Sequence, residues 1–408
     1  MSFENSDLGW TNMRTNERSY LKTHPWLTFH IDMGRADAVT WMALGEIQSK
    51  CDHLGNASLD PETAAMLHKI YLVKGIMATT AIEGNTLSES EVAKRIEGQL
   101  KLPASKEYLG KEVDNVLKAT NFVLHEVMTR EECNMSSSDI KKYHMQILEG
   151  LEVDDATIPG SIREHRVEVG RYRGAPPEDC EYLLGRMCEW LASSTFNPTP
   201  GRHVVFGVLK AILAHLYIAW IHPFGDGNGR TARLVEARLL LEAGAPSAAA
   251  HLLSNHYNQT RAEYYRQLDN ASRSGGDVMP FIKYAVEGFC GQLKEQIKFV
   301  QNYQFKAVWQ NFVHGEFRDK KSPSDHRRRH LALAVSETPE GYPLNQIRRL
   351  TPQLAELYAG KTLKTVMRDV NALIKMGIIE RSGKNVRPAT SKLEAFIPIR
   401  REPKILSA

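Results

Sequence analysis

The chain has 408 residues, 42% hydrophobic and 25% charged, a balance that excludes a disordered or fibrous protein and is too long for one small domain. Its net charge of +4 hides an asymmetry: from residue 301 onward about 20 Lys and Arg face about 10 acids, which leaves the first 300 residues at roughly −6. Cys51, Cys133, Cys180, Cys188 and Cys290 are odd in number and include no CxxC pair, which argues against a disulfide framework or a cysteine zinc site and fits a reducing cytoplasm.

Taken in chain order, the first twenty residues hold no apolar stretch of signal-peptide length. Apolar spacings of three and four then predict helices over 61–82, 88–101 and 112–128. Between the first two, TTAIEGNTLSE (79–89) has Gly84 as a helix stop, while Thr86 with Glu89 reads as a capping box for the next helix. Glu83 therefore falls in a last helical turn. A carboxylate there opposes the helix dipole by about 0.3–1 kcal/mol and calls for a cation or another purpose.

In PGSIREHRVEVGRYRGAPP (159–177), Ile162, His165, Val167 and Val169 are too loosely spaced for a helix, and Pro and Gly bracket them, so a short hairpin is predicted. Helical spacing returns over 180–193, 203–221 and 228–243. The segment VVFGVLKAILAHLYIAWI (204–221) approaches membrane-spanning length but is interrupted by Gly207, Lys210 and His215. A buried central helix is expected, and no membrane partner.

Directly after it comes HPFGDGNGRTAR (222–233). Glycines closing on a helix N-terminus let backbone N–H groups approach an anion. No GxxxxGK[ST] occurs, and the preceding segment is helical, so neither a Walker loop nor a dinucleotide fingerprint fits. A helix–loop–helix phosphate site remains. His222 can take a proton from an attacking hydroxyl, Asp226 can hold Mg2+, and Arg230 and Arg233, three apart, can clamp phosphate oxygens. Asn228 is placed to cap the new helix.

The basic, polar run FRDKKSPSDHRRRH (317–330) marks the expected boundary between body and tail. The tail reads as short helices at about 328–337 and 343–358, and then as a helix in which Leu363, Val366, Val370, Leu373 and Ile374 form one stripe, with Lys364, Arg368 and Lys375 off it. IIERSGKNVRP follows as a hairpin turned at Ser-Gly-Lys-Asn. Helix and wing together resemble a winged-helix module.

HPFGDGNGRTAR matches the Fic motif HPFxDGNGRxxR at every fixed position, and the chain resembles the Fic family over roughly 60–290 in scattered blocks. Thr79, Glu83, Gly84 and Asn85 match the family's inhibitory motif [S/T]xxxE[G/N]N. The resemblance implies a mainly α fold: a Fic-type helical bundle with a β-hairpin flap, plus the winged helix. The domains expected are 1–105 with the inhibitory helix, 106–300 as catalytic core and 318–408 as winged helix.

The activity implied is transfer of AMP from ATP to a Ser, Thr or Tyr hydroxyl of a target protein. By resemblance, His222 is the general base, Asp226 the Mg2+ ligand, Gly227, Asn228 and Gly229 the anion hole, and Arg230 and Arg233 the phosphate clamps. Phe224 would anchor the loop. Val167 and Val169 belong to the flap that aligns the target, RAEYYRQL places Tyr265 and Leu268 at the adenine, and Glu83 with Asn85 forms a brake in which Glu83 pairs with Arg233. Self-modification, a homodimer and a reverse, AMP-removing activity are compatible with the same resemblance. The rivals are a DNA-binding regulator whose core senses nucleotide, supported by the basic tail, and a zinc enzyme, disfavoured because the histidines lack an HExxH spacing.

Overall fold

The computed structural model describes residues 18–57, 59–129, 134–338 and 341–390. Cys133 and the last residues of the tail lie outside these. The chain divides into two compact units, 1–298 and 299–408.

Among the described residues, the regular structure of the first unit is helical apart from one hairpin. A short α1 (Tyr20–Thr23) leads to α2 (Ala38–Gly55), α3 (Pro61–Ile82) and α4 (Glu89–Ile96). Next come α5 (Glu107–Thr129), α6 (Ser137–Ile147), the hairpin β1 (Glu168–Val169) and β2 (Tyr172–Arg173), and α7 (Pro177–Leu191). Then follow α8 (His203–Ile221), α9 (Asn228–Glu242), α10 (Leu252–Gln259), α11 (Arg261–Arg273) and the start of α12 (Met279–Glu316).

Helix α8 is the axis of this unit. Val204, Val208, Ile212, Leu216 and Ile218 are fully buried, and α2, α7 and α9 pack around the helix, so its apolar length is satisfied by protein. Helix α3 packs against α4, α5, α9 and α10, so the described residues up to 105 belong to the same compact unit as the segment that follows. The predicted helix at 88–101 is shorter than expected, and its cap is Ser88, not Thr86. Ser88 Oγ accepts from Glu91 N while Glu91 Oε2 accepts from Ser88 N, and Asn85 Oδ1 accepts from Leu87 N, which holds residues 85–87 in a turn ahead of the helix.

In the second unit, α13 (Pro323–Val335), β3 (Tyr342–Pro343), α14 (Pro352–Leu357), α15 (Leu363–Lys375), β4 (Ile379–Ser382) and β5 (Asn385–Pro388) follow in order, with the antiparallel sheet arranged β3-β5-β4. The segment predicted as one helix over 343–358 is broken into a 3-10 turn at Leu344–Arg349 and the short α14. The unit also starts earlier than residue 318. Trp309 and Val313 near the end of α12 and Phe317 just past it, four apart, pack with Leu331, Val366, Val370, Leu373 and Val386 in its core. The basic run read as the boundary contains the capped start of α13, where Ser322 and Asp325 form a capping box. Asp369 is 1% exposed and accepts hydrogen bonds from Arg327, Arg328 and Tyr358, which ties α13, α14 and α15 together.

Candidate active site

Helix α8 ends at Ile221, and His222 turns into the left-handed region at φ 50, its N–H donating to Ile218 O at 2.8 Å. That conformation is unusual for a residue with a Cβ and costs of order 1 kcal/mol, so something must hold it. The structure supplies Arg163, a residue the sequence reading passed over. Its guanidinium is buried and donates to four backbone carbonyls: His222 O at 2.7 Å, His165 O at 2.6 Å, Ala175 O at 2.5 Å and Ile221 O at 3.5 Å. Arg163 N–H also donates to Pro223 O at 3.0 Å. One cation thus fastens the flap to the elbow that carries the imidazole.

The loop beyond His222 is closed by two further devices. Phe224 is fully buried and lies flat on His144, ring centroids 3.8 Å apart at 5°. His144 Nδ1 accepts from Gly160 N at 2.9 Å, so its Nε2–H donates to Asp226 O, also at 2.9 Å. Burial lowers the His144 pKa to about 4, so the ring stays neutral and keeps this donor pattern. Asn228 does not cap α9 as expected; the cap position is Gly227 in the left-handed region, φ 73. Asn228 instead staples the loop, with Phe224 N donating to its Oδ1 at 3.0 Å and its Nδ2 donating to Phe224 O at 2.8 Å.

A cavity of about 420 Å³ opens here, and its wall includes His222, Asn228, Gly229, Arg233, Glu83 and Val169. The first turn of α9, whose N–H groups have no acceptors within the helix, lies on that wall. Tyr265 and Leu268 line it as well, together with Tyr264, Asp269 and Ser272. Tyr265 is 43% exposed and its hydroxyl donates to Ile82 O at 3.3 Å, whereas Tyr264 is buried with its hydroxyl 2.9 Å from His215 Nε2. The flap contributes Val169, paired with Tyr172 across the hairpin, and Tyr172 Oη donates to Trp220 O at 2.6 Å, which fixes the hairpin on α8. Val167 lies just before β1 and away from the cavity wall, where its carbonyl accepts from Gly174 N at 3.1 Å.

Arg233 is 2% exposed. Its Nη2 donates to Glu83 Oε1 at 2.6 Å and to Thr79 O at 3.0 Å, and its Nε donates to Thr79 Oγ1 at 2.7 Å. Nη1 has no hydrogen-bond partner among the described residues. Burial disfavours a charged Glu83, but the Arg233 guanidinium outweighs it and holds the carboxyl below its ordinary pKa. The carboxylate also leans on the first turn of α9: a Cβ on Gly229 would come 2.3 Å from Glu83 Oε1, so a side chain there would push the carboxylate aside.

Arg230, expected beside Arg233, does not line this cavity. It is held between two carboxylates, Nη1 donating to Glu112 Oε1 and Nη2 to Asp226 Oδ2, each at 3.0 Å. Glu112 Oε2 accepts in turn from Asn85 Nδ2 at 2.8 Å. A polar chain therefore runs from the turn after Glu83 to Asp226. Glu112 gave no signal in the sequence, being one acid among many on an amphipathic helix.

Asp226 has a half-exposed side chain, with Oδ1 accepting from Gly227 N and Oδ2 from Arg230. Among the described residues no three His, Cys, Asp or Glu side chains converge as a metal cage. A single carboxylate is still a fit for Mg2+, which commonly takes one or two and completes its shell with water and substrate phosphates.

Burial lowers the His222 pKa to about 4, with Arg163 adding to the effect and Glu83 and Asp226 opposing it. The imidazole is therefore uncharged and able to accept a proton at neutral pH. For any reaction in which His222 accepts a proton, the single-turnover rate is expected to be flat with respect to this group from about pH 6 to 8 and to fall as pH drops through about 4, where the ring gains its proton. A rate profile measured with quench-flow would check this, and an acid limb centred near pH 6.5 would contradict it.

A helical bundle thus sets an uncharged histidine, an open helix N-terminus and a buried arginine around one cavity with a short hairpin at its edge, an arrangement whose donors can receive an anion such as a phosphate. Residues 134–240 match the Fic/DOC family. Protein adenylyltransferase fic-1 of Caenorhabditis briggsae is 31% identical over 223 residues, which are 54% of this chain and 40% of that protein. The chain therefore spans well under half the length of this relative. The solved structure of Fic-1 from C. elegans superposes with a TM-score of 0.55 at 25% identity, covering 65% of this chain and 74% of the other. A Fic family protein from Desulfovibrio desulfuricans shares the fold over 91% of this chain and 97% of its own, with a TM-score of 0.53 at 19% identity.

Proposed function

We propose that the chain is a protein adenylyltransferase that moves AMP from ATP to a Ser, Thr or Tyr hydroxyl of a target protein and is held back by Glu83. The observation that carries this reading is the convergence of His222 and Arg233 on one cavity at the start of α9. The relative from Caenorhabditis briggsae, named a protein adenylyltransferase, supports the enzyme over a nucleotide-sensing regulator.

In this reading the target strand pairs with the flap edge at Val169 and presents its hydroxyl to His222. The imidazole takes the hydroxyl proton as the oxygen attacks the α-phosphorus, and pyrophosphate leaves. Gly229 and Asn228 hold phosphate oxygens through the helix start, and Arg233 binds the terminal phosphate once Glu83 releases it. Mg2+, held by Asp226, would neutralise phosphate charge. Tyr265 and Leu268 flank the base. The chain itself is a candidate target, a homodimer is compatible with this arrangement, and the buried thiols of Cys51, Cys180, Cys188 and Cys290 suit a reducing cytoplasm.

The test is the position of the transferred label. The Glu83→Gly protein, incubated with cell extract, is expected to incorporate label from ATP carrying it on the α-phosphate and none from ATP carrying it on the γ-phosphate. Incorporation of γ-label would make the enzyme a kinase and overturn the reading.

A further inference from the structure

The second unit has a charged face that the catalytic reading does not use. On α15, Val366, Val370 and Leu373 point inward and are buried. The opposite side carries Lys364, Arg368, Asn371 and Lys375, spaced four, three and four apart, which is a single helical stripe, and all four are exposed. The only acid on the helix is Asp369, and it is buried and occupied by Arg327, Arg328 and Tyr358. Lys361 and Leu363, the latter 59% exposed, stand at the start of the stripe.

The β4–β5 turn extends this face. Arg381, Ser382, Gly383 and Lys384 are exposed, and Arg381 Nη2 donates to Asn371 Oδ1 at 3.3 Å, which places turn and helix on one surface. Glu380, the one acid on these two strands, is paired with Arg387 at 2.7 Å. Helix α14 precedes α15 across a short turn containing Gly360 at φ 70, which gives a helix-turn-helix arrangement.

We propose that this face binds duplex DNA, with α15 in the major groove and the β4–β5 turn on the neighbouring backbone. A 13-residue helix is about 20 Å long and about 10–12 Å across, which suits the roughly 12 Å major groove of B-DNA. The side chains offered are those that read or hold DNA: Lys and Arg for phosphates and guanine, Asn for adenine, and an exposed Leu for a thymine methyl. A-form RNA has a major groove too narrow to admit the helix. The stripe therefore selects DNA by shape as well as by charge. This proposal stands independently of the catalytic reading.

The test uses the full-length protein and a fluorescein-labelled mixed-sequence duplex of about 20 bp, followed by anisotropy between about 50 and 200 mM salt. Lys361, Lys364, Arg368, Lys375, Arg381 and Lys384 together give an expected slope of log K against log salt of about −5. The Lys364→Glu/Arg368→Glu/Lys375→Glu protein is expected to bind at least about 100-fold more weakly at low salt while melting at the parent temperature. An Arg381→Glu/Lys384→Glu protein should show a smaller loss in the same direction. No salt-dependent binding, equal affinity in both charge-reversed proteins, equal affinity for an RNA duplex of the same length, or tighter binding to polyglutamate than to DNA would each overturn the proposal; the last would mark the face as a site for an acidic protein.

Discussion

Replacing His222 by alanine is expected to remove AMP transfer in both the native protein and the Glu83→Gly protein. Loss of a positioned general base costs about 10²–10⁴-fold in rate, enough to bring labelling to background. Nothing in the phosphate cradle depends on the imidazole: Arg233 is held by Thr79 and Glu83, and the loop by Phe224, Asn228 and His144. Titration calorimetry should therefore show ATP binding to Glu83→Gly/His222→Ala with little change from Glu83→Gly alone. Transfer within about threefold of the parent would mean that another group takes the proton, and the assignment of the base would fail.

The opposite effect is expected at Glu83. Its carboxylate occupies the guanidinium that the proposed reading assigns to the terminal phosphate, and it lies over Gly229, where a second anion would meet it. A hydrogen bond between charged partners contributes about 1.5–3 kcal/mol, so removing it should raise transfer by roughly 10- to 150-fold. Thr79 keeps two contacts to Arg233 in the Glu83→Gly protein, so the guanidinium stays in place and presents both Nη1 and Nη2 to the cavity. Initial rates with α-labelled ATP measure the gain. An unchanged rate, with unchanged ATP affinity, would show that the ion pair is no brake.

The parts of this site that were legible in the sequence are those where chemistry demands a residue type at a fixed spacing. His222, Asp226, the glycines and Arg233 lie within twelve consecutive residues, and Glu83 stands at a helix end where a carboxylate is out of place. The helices of the bundle were legible because their apolar faces repeat. What the sequence left hidden was partnership between distant segments. Arg163, His144 and Glu112 act through backbone carbonyls, a stacked ring and another side chain's cation, none of which leaves a local pattern. Arg230 looked like the twin of Arg233 because the two are three residues apart on one helix, yet burial turns them toward different carboxylates. Asn228 has the composition of a cap, but the left-handed Gly227 takes that place and frees its amide to close the loop. Trp309, Val313 and Phe317 belong to the core of the second unit, although the basic run that begins at Phe317 reads as the boundary before it.

The manner in which Arg163 is held carries an evolutionary consequence. Every acceptor it uses is a main-chain oxygen, and main-chain oxygens are supplied by any amino acid. Mutational drift at the outward positions of the flap, such as Glu164, Arg166, Glu168 and Arg171, therefore leaves the mooring of the imidazole intact. The outside of the hairpin can diversify while the elbow that aims the ring at 222 is inherited unchanged.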